Sequence, residues 1–142
     1  MITKEITFEN FDGEKVTRPF SFHLNQTELL KWETGSDTSI GGMIKNALDN
    51  KDPKGIFNFL YELILRSYGE KSEDGFSFVK VKNGAPIRDA FESSPAFDAL
   101  ITELINDPDK LNAFIENVIP ASVLKMGMDN LEKNKAALAI KA

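Results

Sequence analysis

The side chains that could do chemistry are few, and their spacing does not assemble them. His23 is the only histidine, and a general base or metal ligand needs companions. It stands between Phe22 and Leu24 in an alternating run, so period two places it on the opposite face from both, as a solvent-facing strand residue. Cysteine is absent, which removes disulfides, thiolate nucleophiles and zinc–thiolate sites. Glu70, Glu73 and Asp74 lead into Gly75. The alternating oxygens and distant bidentate glutamate of a calcium loop are missing, and Lys71 interrupts the group, so the stretch reads as a solvated acidic loop. Gly41 and Gly42 open a helical stretch whose amides could hold an anion, a weak signal. No phosphate loop and no ordered Ser/His/Asp grouping occurs. The reading is therefore no catalytic residue, no metal, no cofactor and no enzyme. The work left for such a chain is binding another protein.

Charge and composition narrow the partners. A net charge of −5 and a pI near 4.9, with no cluster of Lys and Arg, argue against nucleic acid, whose phosphates demand a basic face. The start, Met1-Ile2-Thr3-Lys4-Glu5, is polar where a signal peptide needs an apolar core. The longest apolar stretch, Phe57 to Leu65, contains Asn58, Tyr61 and Glu62 and falls far short of a membrane span. The expectation is a soluble, cytoplasmic protein with no membrane partner. At 142 residues and 42% hydrophobic, one domain with its own core is expected, without metal or disulfide staples.

The elements that would position these residues change character at Asn25. Before it, Ile6 and Phe8, then Phe20, Phe22 and Leu24, alternate with polar residues as strands do. Asp12-Gly13 between them reads as a two-residue hairpin turn, and Pro19 marks an edge or an interruption. A lone ribbon is marginal in water. It needs a helix, a third strand or a second copy of the chain, which makes a homo-oligomer one expectation. After Asn25 the period becomes helical. Asn25 with Glu28 forms a capping-box start to a helix through about Trp32. Ile40, Met43, Ile44, Ala47 and Leu48 stripe a second helix. Three starts pair a cap with a proline: Asp52-Pro53, Ser94-Pro95 and Asp107-Pro108. Gly69 is expected to end the first of these helices in the left-handed conformation. Glu70 to Gly84 is turn-rich, either a loop with anchored aromatics or a short strand. The fold class expected is α+β: a hairpin over residues 1–24, then a mostly α-helical part of five or six helices over 25–120, forming one domain. Residues 121–142 read as a flexible or partner-dependent tail.

Eleven phenylalanines exceed what the stripes use. Phe57, Phe97 and Phe114 fall on helical stripes and read as core. Trp32, Phe76, Phe78, Met126 and Met128 are not fully accounted for, and core plug and partner anchor both stay open for them. As anchors they would suit a partner of varied surface, since methionine adapts to what it meets.

Several of these stretches together resemble one family. They are the Phe11-Asp12-Gly13 hairpin and the Phe22-His23-Leu24-Asn25 step with Glu28. To these add the run from Ile64 through Ser67-Tyr68-Gly69-Glu70-Lys71-Ser72 to Gly75, and the ending Phe114 to Pro120. They are similar to the tail assembly chaperones of long-tailed (siphovirus-type) bacteriophages, over residues 1–124, with Phe76 to Pro86 departing from the family's charged run. The resemblance implies a non-enzymatic protein of the host bacterial cytoplasm, absent from the mature virion. It implies a tape measure protein as client, kept soluble during tail tube polymerisation, with the major tail tube protein as a further partner. The family often makes a second, longer product by translational frameshifting. The competing readings are a structural tail or connector component retained in the virion, and a host-directed inhibitor.

Overall fold

The computed structural model describes residues 1–36 and 40–120. An N-terminal hairpin, β1 (Ile2–Glu9) and β2 (Lys15–Phe22), is followed by helices α1 (Gln26–Thr34), α2 (Ile40–Leu48) and α3 (Pro53–Ser67). Two short ribbons come next, β3 (Tyr68–Lys71) with β4 (Phe78–Val79), and β5 (Val81–Lys82) with β6 (Ala85–Pro86). Helices α4 (Arg88–Glu92), α5 (Pro95–Asn106) and α6 (Pro108–Val118) complete the described chain. The architecture is α+β, with the expected hairpin followed by six helices among the described residues. The tail over 121–142 lies outside them.

The hairpin is completed from within the chain. α5 packs on β1, and β3 then β4 extend the sheet beyond β2, in the order β1-β2-β3-β4. β3 pairs with β2 only at Ser21 and Phe22, so Pro19 stands past the end of that pairing, where its missing N–H costs nothing. The turns differ from the expectation. Asn10 and Glu14 still pair, with Asn10 N–H donating to the Glu14 carbonyl at 2.8 Å. Phe11-Asp12-Gly13 is therefore a three-residue loop, with Gly13 at φ +80° supplying the left-handed closing residue. The two-residue turn is instead Asn83-Gly84 between β5 and β6, with both residues at positive φ, in a segment that read only as turn-rich.

The helix starts form as read. Asn25 and Glu28 make a reciprocal capping box, and the Asp52, Ser94 and Asp107 side chains accept from the amides that open α3, α5 and α6. Each such cap is worth about 1 kcal/mol. The end of α3 is a correction. Gly69 does not close the helix; Tyr68 does, in extended conformation, and Gly69 is a buried strand residue. It is glycine because the Phe78 ring lies on it: a Cβ there would sit 2.8 Å from both Phe78 Cδ2 and the Val79 carbonyl oxygen.

One core holds the sheet and helices together. Phe91 on α4 is its aromatic centre, ringed by Phe20, Phe22, Tyr68 and Phe97, with the Tyr68 ring stacked at 4.3 Å. Phe97 and Phe114 are buried as expected, whereas Phe57 is 46% exposed. It sits at the margin of the α3 stripe, touching Tyr61, because the apolar arc of α3 is wider than the surface α2, α4 and α5 cover.

Candidate functional site

Two surfaces stand out. The first is the turn joining β3 and β4. Ser72 N–H donates to the Ser77 carbonyl, and Ser77 N–H to the Ser72 hydroxyl oxygen. The Asp74 carboxylate accepts from the Ser72 hydroxyl at 2.7 Å and from Phe76 N–H at 3.0 Å. These bonds hold the Asp74 carboxyl below its ordinary value and explain the acidic loop: Asp74 shapes a turn. Gly75 takes φ +74°. The turn so fixed leaves Phe76 91% exposed. Leaving such a ring in water forgoes about 1.5–3 kcal/mol of burial. The β1–β2 loop repeats the arrangement, with Phe11 88% exposed. Because β3 runs antiparallel to β2, both turns lie at the same end of the sheet. Phe11 carried no signal as a site beyond its place in a hairpin loop.

The second surface is a cleft of about 460 Å³ between α1, the end of α3 and the β5–β6 ribbon. Its floor is Leu24, Trp32 and Leu65; Tyr68, Val81 and Pro86 add an apolar wall. Lys31, Arg66, Lys80 and Arg88 surround it, against the single carboxylate of Glu28. The Lys80 ammonium ties the walls together, donating to the His23 carbonyl at 2.9 Å, the Arg66 carbonyl at 2.7 Å and the Glu28 carboxylate at 2.5 Å. Burial pulls the Lys80 ammonium below its ordinary value, and the bond to Glu28 works in the other direction. Arg66 lies 4.7 Å from the centre of the Trp32 ring, a cation–π contact that holds the guanidinium at the floor.

A family described as phage tail assembly chaperone matches residues 1–139. The chain belongs to that family. No curated protein and no solved structure matches it. The match runs past residue 124, so the tail of this chaperone is part of what the family shares.

The residues singled out from sequence part ways in the chaperone. Trp32 is 9% exposed, stacked on Phe59 at 5.6 Å and open only to the cleft floor. Phe76 is exposed and Phe78 half-buried, its ring against His23 at 5.7 Å and over Gly69. Met126 and Met128 lie outside the described residues. His23 is corrected: it is half-buried rather than solvent-facing, because β4 covers that face of the sheet. Its Nδ1 is buried without a hydrogen-bond partner. Its imidazole is pulled below its ordinary 6.5, first by burial, then by the amino terminus and Lys80, with Glu28 opposing. The anion place at Gly41 is filled by the chain itself. The buried Glu33 carboxylate accepts from Ile40 N–H at 2.6 Å and Gly41 N–H at 3.1 Å. Among the described residues no cluster suits a metal ion, and no helix is long and apolar enough to cross a membrane.

Proposed function

We propose that this tail assembly chaperone binds a phage tape measure protein and keeps it soluble while the tail tube polymerises. It acts in the host bacterial cytoplasm, by binding alone, and is left out of the finished virion. The observation that carries the reading, beside the family, is Phe76. A turn closed by five hydrogen bonds spends its polar groups on holding one large apolar side chain out of the core. Large apolar side chains kept on a surface mark a place where another chain is met.

The test is co-expression of the tape measure protein with and without the chaperone. The client is expected to be insoluble alone and soluble with it, and Phe76→Ser is expected to weaken the rescue while leaving the fold intact. Phe78 is unsuitable for the same purpose, since its ring covers Gly69 and His23. A client equally soluble with and without the chaperone, and not co-purifying with it, overturns the reading. Finding the chain in purified virions overturns its absence from them.

A further inference from the structure

We propose that the cleft beside Trp32 receives an apolar side chain flanked by carboxylates, carried on a segment of the client protein. This rests on the client reading above and names the chemistry of the segment.

The argument starts from which charges are already used. Lys80 is countered by Glu28, and Arg66 by Glu62 at 3.3 Å. Lys31 and Arg88 are exposed and form no ion pair among the described residues. Two uncompensated cations therefore stand at the rim of an apolar hollow, on a chain whose net charge is −5. The hollow, at about 460 Å³, has room for one large side chain and its neighbours. An apolar group fits the floor, and carboxylates beside it meet the rim.

Other occupants fit less well. A polynucleotide needs a basic track, and these cations form one isolated ring on an acidic protein. A free small anion is best held by open backbone amides at a helix N-terminus. The nearby N-terminus of α1 is closed by its own capping box, and that of α2 by Glu33. The chain's own residues 121–142 place Leu131 between Asp129 and Glu132, but four lysines, Lys125, Lys133, Lys135 and Lys141, give that segment a net positive charge, which this rim repels. A client segment bearing Asp or Glu next to Leu, Ile or Phe satisfies both parts of the site.

Trp32 is the only tryptophan and forms the floor, so its emission reports occupancy. The probes are overlapping peptides of about 20 residues, roughly 30 Å as helices, spanning the tape measure protein encoded with this chain. They are titrated into the full chaperone and into its Lys31→Glu/Arg88→Glu variant, and full-length client solubility is measured in parallel. The peptides that shift Trp32 emission are expected to carry carboxylates beside large apolar residues. The double variant, with unchanged melting temperature, is expected to bind them at least about tenfold more weakly, and salt to weaken binding to the parent chain. The inference is overturned if the bound peptides lack acidic residues, if the charge reversal changes nothing, or if a single-stranded DNA oligonucleotide binds as tightly. If no peptide shifts Trp32 emission while the client is still kept soluble, the cleft is not the receiving site and the client reading stands. If the client is not kept soluble, that reading falls and takes this one with it.

Discussion

Phe91 and Phe76 are the same residue with opposite fates. Phe91 is 3% exposed and touches four aromatic rings; Phe76 is 91% exposed and touches none. The surrounding sequence does not separate them, since both stand among polar residues. What separates them is where local hydrogen bonds place the backbone. α4 is a short helix whose single buried residue is laid against β2 and β3. The 72–77 turn satisfies its own polar groups and leaves the Phe76 ring in solvent. Burial in this protein follows from docking of an element, while exposure at the sheet end is built into a turn.

That contrast can be broken at several strengths. The largest effect is expected from Phe91→Ala, which empties the centre of the aromatic cluster and should cost about 3–5 kcal/mol, read from urea denaturation. A loss under about 1 kcal/mol would mean the cluster is not the keystone of the core. Next comes Gly69→Ala. The added methyl meets the Phe78 ring and the Val79 carbonyl and is expected to cost about 1–3 kcal/mol, with β4 exchanging its amides faster in hydrogen exchange. An alanine tolerated without loss would show that Phe78 moves freely.

Phe76→Ser and Phe11→Ser should sharpen the contrast from the other side. Each is expected to change stability by no more than about 0.5 kcal/mol in thermal melts. A marked destabilisation would show that these rings do pack.

The smallest effect is that of pH. The imidazole of His23 is lowered from 6.5 by burial behind Phe78. The unfolded chain therefore takes up the proton first as pH falls. The associated stability is complete above 6.5 and is lost as pH drops below it toward the folded-state value. Urea midpoints should decline modestly between about pH 7 and about pH 5. His23→Gln should flatten that decline; an equal slope in both chains would assign it elsewhere.

The helix starts were legible in the sequence because a cap is a local device. Asn25 with Glu28, Asp52-Pro53, Ser94-Pro95 and Asp107-Pro108 each satisfy amides within three residues, so their outcome needs no distant contact. The period-two run through Phe20, Phe22 and Leu24 was legible for the same reason: one apolar face needs only one partner surface, whichever it is. The site was less legible. Gly69 carried the mark of a helix end, but Phe78, nine positions on, claims the space its side chain would fill. His23 had the pattern of an exposed residue, yet a strand from residues 78–79 covers it. The basic-rimmed cleft left no trace in a composition whose net charge is negative. Lys31, Arg66, Lys80 and Arg88 are spread over 58 residues and meet only in the fold, where Lys80 bonds to His23 after β2, to Glu28 on α1 and to Arg66 near the end of α3. By itself the sequence determined where elements begin and which faces are apolar, since those depend on neighbours along the chain. The tertiary structure alone decided which aromatics stay in water and where the charges converge, since those depend on which surfaces remain uncovered after every element has docked.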